Sequence, residues 1–131
     1  MKETNVNSED GTLNILIAVY GTLKRERHNH PLLLDSLYIG EGRTEQKYPM
    51  VVSRSGLPFL INKPGVGKKV KVELYLTDKA MLNNIDILEG HPEWYKREKT
   101  RVVINDFVAE PWIYFAPDDV PYENEVHLET F

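Results

Sequence analysis

A glutamate at the end of a predicted helix is the residue whose type and position best suit proton transfer. Glu89 lies in the last turn of that helix, immediately before Gly90. The negative end of the helix dipole disfavours a carboxylate there, and the apolar neighbours Ile87 and Leu88 predict partial burial. Both effects raise the pKa of a carboxyl group, which suits a general acid or base at neutral pH. On composition alone, a solvent-exposed glutamate at a helix end is the more common explanation.

The second candidate is the turn Tyr20-Gly21-Thr22-Leu23, which follows a run of apolar residues. A buried strand that ends in a tight glycine turn exposes successive backbone N–H groups, and such a nest can hold a carboxylate or a carbonyl oxygen. A plain connection from a strand to a loop explains the same four residues. That simpler explanation is favoured when the turn is considered by itself.

The other chemically capable side chains do not form a recognised pattern. His28 and His30 are two positions apart and His91 lies near Glu89, but this spacing matches no known zinc site, so we predict no metal. The basic cluster at positions 24, 25 and 27 could meet an anionic substrate, although a solvated face is the default interpretation. The chain has no cysteine, which excludes disulfides, thiolate zinc sites and cysteine nucleophiles.

The glutamate is positioned by the one strong helix in the sequence. Thr77 or Asp78 can cap its first turn, and Gly90 followed by Pro92 ends it. Apolar residues at helical spacing predict one buried face, made of Met81, Leu82, Ile85 and Leu88.

Most of the remaining sequence indicates short strands. They are predicted over residues 13–19, 48–52, 57–61, 70–76, 99–104 and 108–115, with a short helix opened by Pro31 over residues 31–37. The first strand is apolar on both faces, whereas residues 70–76 alternate and predict a half-buried strand. Many strands with one strong helix indicate an α+β fold, a curved sheet or barrel with helices at its edge.

Bulk properties limit the classes of function. A length of 131 residues favours one domain, which we place at residues 13–131 after a polar, flexible tail at residues 1–12. A net charge of −4 argues against nucleic-acid binding, which usually needs a basic face. The longest apolar run is too short to span a bilayer, and the first residues lack the pattern of a signal peptide. We therefore expect a cytoplasmic protein without membrane contact.

Two stretches, taken together, resemble a known family. Residues 19–33, VYGTLKRERHNHPLL, are similar to the N-terminal signature of the γ-glutamylcyclotransferase-like superfamily, and in detail to its γ-glutamylamine cyclotransferase (AIG2-like) branch. Residues 85–98, IDILEGHPEWYKRE, resemble the catalytic segment of that family, in which a Pro and a Tyr-x-Arg follow the catalytic glutamate. Shorter matches recur in order, so the resemblance covers roughly residues 15–115.

This resemblance implies a mixed β-barrel of about six strands with flanking short helices, and no cofactor or metal. It implies a catalytic role for Glu89. The residues that would bind a small γ-glutamyl substrate are Tyr20, Gly21, Thr22, Leu23 and Tyr95. The implied reaction is intramolecular cyclisation of a γ-glutamyl amide to 5-oxoproline with release of a free amine. For the oligomeric state we expect a monomer.

Two positions depart from the family pattern, since Val72 and Glu26 stand where glycine is common. The side chain of Val72 could narrow the pocket or fill the core. Other functions stay open: cyclotransfer on γ-glutamyl amino acids, cyclotransfer on a γ-glutamylated biosynthetic intermediate, or a non-catalytic module that binds a small ligand or a protein partner.

Overall fold

The computed structural model describes residues 11–131, so most of the predicted N-terminal tail, residues 1–10, lies outside the described residues. Within this part of the chain one α-helix, α1, covers Lys79–Glu89, and a 3-10 helix covers His30–Leu33. The strands, in chain order, are β1 Ile15–Val19, β2 Leu37–Thr44, β3 Met50–Val52, β4 Pro58–Leu60, β5 Lys71–Thr77, β6 Lys96–Lys99, β7 Val102–Ile104, β8 Phe107–Ala109 and β9 Trp112–Phe115.

The strands form a curled, mixed sheet of seven strands and a separate hairpin. The order in the large sheet is β6-β9-β1-β5-β2-β7-β8, and β3 pairs with β4. β1 and β9 are parallel, whereas the other paired strands are antiparallel. β6 and β8 are the two edges of the curled sheet, which is therefore open and forms a half-barrel. The α+β class and the mixed sheet are confirmed. The large sheet has seven strands, slightly more than the expected six.

β1 divides the core into two clusters, because both of its faces are buried as predicted. Ile17 and Val19 pack with α1 on one face, whereas Ala18 belongs to the cluster on the other face. Val72 lies in this second cluster with no exposed surface, and it does not line the cavity described below. The valine that stands here in place of the family's common glycine therefore fills the core.

The helix begins and ends where the sequence predicts. The side chain of Asp78 accepts a hydrogen bond from the N–H of Met81 at 2.8 Å, and Gly90 adopts the left-handed conformation (φ 69°) that glycine tolerates best. Three of the four predicted core residues of α1 are buried, but Leu88 is 39% exposed. Leu88 instead lines the cavity beside Glu89.

Several sequence expectations are wrong in detail. The longest strand, β2, was not predicted, and the helix expected over residues 31–37 is only the 3-10 helix His30–Leu33. The strand expected over 99–104 is divided between β6 and β7, and that over 108–115 between β8 and β9. β5 is buried on both faces, since Glu73 and Tyr75 are 7% and 2% exposed.

Candidate active site

A cavity of about 200 Å³ lies where the end of β1, the end of α1 and the start of β4 meet. All of the sequence-predicted site residues line it: Tyr20, Gly21, Thr22, Leu23, Glu89 and Tyr95. These residues come from two stretches more than sixty positions apart in the sequence. The sheet order explains the meeting, because β9 lies beside β1 and joins it to β6, which follows the helix.

Glu89 is a partly buried carboxyl group without a fixed partner. Burial raises its pKa to about 7. Among residues 11–131, no donor bonds its side chain, while its backbone carbonyl accepts from the N–H of Tyr95 at 3.1 Å. A carboxyl group with this pKa exchanges protons at neutral pH in both directions, which general acid–base chemistry requires.

Two buried tyrosines flank this carboxyl group. The hydroxyl of Tyr20 donates to the carbonyl of Tyr114 at 2.7 Å, and that of Tyr95 donates to the carbonyl of Pro58 at 2.9 Å. Burial raises the pKa of both hydroxyls, and the charge of Glu89 adds to the increase. Both tyrosines therefore remain neutral at physiological pH, with their protons directed at backbone carbonyls.

The loop after β1 is held in place by hydrogen bonds to its backbone carbonyl groups. The carbonyls of Gly21 and Thr22 accept from the N–H groups of Lys24 and Asn29, each at 3.0 Å, and the Nδ1–H of His30 donates to the Leu23 carbonyl at 2.9 Å. Within residues 11–131, the N–H groups at positions 21, 22 and 23 have no protein acceptor. The loop thus presents unpaired donors next to a cavity, which is the arrangement of an anion-binding nest.

Glycine is required in this loop by close approach to a neighbouring segment. A Cβ atom on Gly21 would lie 2.6 Å from Cγ of Pro58, far inside van der Waals contact. Pro58 lines the cavity and accepts the hydrogen bond from Tyr95. The need for glycine at position 21 therefore comes from the space it leaves for Pro58 and not from an unusual φ angle.

A hydrogen-bond network around the carboxylate of Asp86 was not predicted from the sequence. Asp86 accepts from Nε and Nη2 of Arg97 at 2.9 and 3.1 Å, and from the hydroxyl of Tyr114 at 2.5 Å. Although burial acts in the opposite direction, these bonds hold the pKa of Asp86 below its usual range. Its signal in the sequence is weak, since the partners are 11 and 28 positions away. The network joins α1, β6 and β9 around the cavity.

The basic cluster and the histidines lie outside the cavity lining. Arg25 pairs with the buried Glu73 at 3.6 Å, and Lys24 donates to the carbonyl of Phe131 at 2.9 Å. The Nδ1 of His91 accepts from the N–H of Arg97 at 3.2 Å. Among residues 11–131, no three His, Cys, Asp or Glu side chains come together as a metal site would require.

Comparison with known proteins shows the family of this chain. Residues 17–130 match the family model described as γ-glutamyl cyclotransferase, AIG2-like. Human γ-glutamylaminecyclotransferase is 39% identical over 93 residues, which are 66% of this chain and 61% of the human protein. The bovine protein of the same name is 35% identical over 119 residues, 86% of this chain and 70% of the bovine one.

A solved structure of a related protein has the same fold. The crystal structure of an AIG2-like protein from Mus musculus superposes with a TM-score of 0.84 at 29% identity, covering 89% of this chain and 87% of the mouse chain. The chain belongs to the γ-glutamyl cyclotransferase, AIG2-like family. In the part that the structure describes, no helix is long and apolar enough to cross a membrane.

Proposed function

We propose that this chain is a γ-glutamylamine cyclotransferase, which converts a γ-glutamyl amide into 5-oxoproline and a free amine, with Glu89 as the general acid and base. The observation that carries this proposal is a carboxyl group of pKa about 7 facing a cavity that is bordered by unpaired backbone N–H groups. The names of the human and bovine relatives support the same reaction class.

The substrate would lie with its glutamyl head against the loop after β1. The unpaired N–H groups of Gly21, Thr22 and Leu23 can bind its α-carboxylate or the oxyanion that forms at the γ-carbonyl. The rings of Tyr20 and Tyr95 are fixed by their hydrogen bonds to backbone carbonyls, so they form rigid walls of the cavity that Glu89 also lines.

The reaction needs a proton carrier rather than a nucleophile. The substrate α-ammonium group titrates near ~8 in its free state, so a nearby carboxylate can remove its first proton. The α-nitrogen then attacks the γ-carbonyl carbon and forms the ring, and the bond from that carbon to the leaving nitrogen breaks. Two protons pass from the α-nitrogen to the leaving nitrogen, and Glu89 carries them one at a time.

Ring closure also gains from positioning. The attacking and attacked atoms belong to the same molecule, so holding the glutamyl chain folded can supply as much as roughly 7–11 kcal/mol of the barrier reduction. This share of the catalysis depends on the shape of the cavity, whereas the proton transfers depend on Glu89. The two contributions can therefore be separated by substitution.

The test is a product assay for 5-oxoproline with γ-glutamyl amines and γ-glutamyl amino acids as substrates. Glu89→Gln keeps the size of the side chain and removes its basicity, so we expect kcat to fall by about 10²–10⁴ with the fold intact by circular dichroism. Glu93→Gln, an exposed glutamate four residues away, is the matched control and should retain wild-type turnover.

Near-normal turnover by Glu89→Gln would show that another group carries the protons. Binding of γ-glutamyl compounds by the wild-type protein without any product would instead favour a ligand-binding module. Faster turnover of γ-glutamyl amino acids than of γ-glutamyl amines would move the assignment to the alternative substrate class.

A further inference from the structure

The cavity has two unlike ends. Its inner part is formed by Tyr20, Leu23 and Tyr95, which are at most 6% exposed. Its outer part includes Leu88 and Trp94, which are 39% and 46% exposed. A substrate whose glutamyl head occupies the buried end, beside the unpaired N–H groups, must extend its leaving amine toward the exposed end.

The outer end is apolar and holds no cationic partner. The residues that form it are Leu57, Leu88 and Trp94, and among the described residues that line the cavity none is Lys, Arg or His. A carboxylate brought to such a surface loses hydration without gaining an ion pair, which is costly. A leaving group that is an amino acid brings that carboxylate, whereas a simple amine does not.

Trp94 is held in place from behind while much of its surface remains open. Its backbone N–H donates to the carbonyl of Gly90 at 2.8 Å, so the residue is fixed to the end of α1. Its ring meets that of Tyr95 edge-on at 4.8 Å between centroids, and the ring of Phe59 lies 6.4 Å from that of Trp94 and 5.8 Å from that of Tyr95. The result is a fixed aromatic surface five residues beyond Glu89, with a large apolar area that no described residue covers.

We propose that Trp94 determines specificity for the leaving amine, and that among γ-glutamyl amines the preferred substrates are those whose amine carries an aromatic group. This preference rests on the cyclotransferase function proposed above. A ring on the leaving amine can pack against the indole at the mouth of the cavity while the amide nitrogen stays beside Glu89. Aromatic pairs of this kind contribute about 0.5–1.5 kcal/mol beyond the apolar area they bury.

Four substrates separate the aromatic contribution from the charge contribution. γ-Glutamylphenethylamide and γ-glutamylphenylalanine differ by one carboxylate, as do γ-glutamylmethylamide and γ-glutamylglycine. We expect the wild-type kcat/KM to be highest for the phenethylamide, and in each pair about tenfold or more higher for the compound without the carboxylate. A lower rate for the aromatic amide than for the methylamide would overturn this proposal, whereas equal rates within each pair would overturn the preference for amines that belongs to the proposed function.

Variants then assign the preference to one side chain. Trp94→Ala should reduce the kcat/KM ratio of phenethylamide to methylamide about tenfold, and Trp94→Phe should restore most of that ratio because it keeps a ring. Phe107→Ala is the matched control, since Phe107 is a 73% exposed aromatic residue on β8, at the opposite edge of the sheet from β6. It should leave the ratio unchanged.

The failures of the two proposals are distinguishable. A Trp94→Ala variant that lowers the rates for both amides by the same factor would show a purely structural role and overturn the specificity proposal, while the cyclotransferase function stands. No 5-oxoproline from any of the four compounds would overturn the cyclotransferase function and this preference with it.

Discussion

Two carboxyl groups on the same helix, three residues apart, have opposite surroundings. Asp86 accepts three hydrogen bonds from Arg97 and Tyr114, and these bonds lower its pKa. Glu89 has no donor among residues 11–131, and burial raises its pKa to about 7. Both groups are partly buried, so burial alone does not decide the outcome; the presence of partners does. A structural carboxylate is held charged, whereas one suited to proton transfer is left without partners.

The largest expected effect that separates the two groups is on the pH dependence of catalysis. If Glu89 must be ionised to accept a proton, kcat/KM falls about tenfold for each pH unit well below 7, which makes a decrease of about fiftyfold between pH 7 and pH 5. Asp86 stays charged over that range and contributes no such change. A pH profile of kcat/KM with an acid limb near pH 4 would contradict the role given to Glu89.

The next effect is on stability and concerns Asp86. Replacement by Asn removes the charge that the partly buried Arg97 faces, so we expect Asp86→Asn to lower the free energy of unfolding by about 2 kcal/mol at pH 7. The folded-state pKa of Asp86 is depressed, so this stabilisation is present above the unfolded pKa and is lost as the pH falls below about 4.

Urea unfolding at several pH values checks this prediction. Asp118→Asn, which changes an exposed aspartate, is the control and should have a midpoint within error of the wild type. Equal midpoints for Asp86→Asn and wild type at pH 7 would show that the network around Asp86 is not stabilising.

The stability contribution of Glu89 should show the reverse pH dependence. Its folded-state pKa is raised, so the stability it contributes is complete below the unfolded pKa of about 4.5 and is lost as the pH rises through about 7. The free energy of unfolding of Glu89→Gln relative to wild type should therefore increase as the pH rises from 5 to 8, as measured by urea unfolding. A difference between the two proteins that does not change with pH would contradict the raised pKa.

The smallest effect is expected for the hydroxyl that links the network to the cavity wall. Tyr114→Phe removes one of three hydrogen bonds to Asp86 and leaves the pair with Arg97 in place. We expect the free energy of unfolding to fall by about 1.5 kcal/mol, the lower end of the range for a hydrogen bond to a charged group. Differential scanning calorimetry measures the change; a loss equal to that of Asp86→Asn would mean that the hydroxyl, not the ion pair, holds the network together.

The sequence predicts these two regions unequally. Glu89 and the loop after β1 could be predicted as site residues because each belongs to a short contiguous stretch that resembles a family motif, and the structure brings both stretches to one cavity. The partners of Asp86 come from β6 and β9, and nothing local in the sequence indicates that those strands lie beside α1. β2 was missed for a related reason, since its exposed residues and two glycines lack the alternation that marks a half-buried strand.

The hydrogen bond from Tyr20 to Tyr114 has a consequence for how activity is acquired during folding. The bond joins two residues that are 94 positions apart, and it can form only when β9 lies in its place between β6 and β1. Contacts between such distant segments carry a large loop-closure cost and are made slowly. No N-terminal fragment that ends before β9 contains a finished cavity. Recovery of activity after dilution from denaturant should therefore report docking of the last strand rather than collapse of the chain.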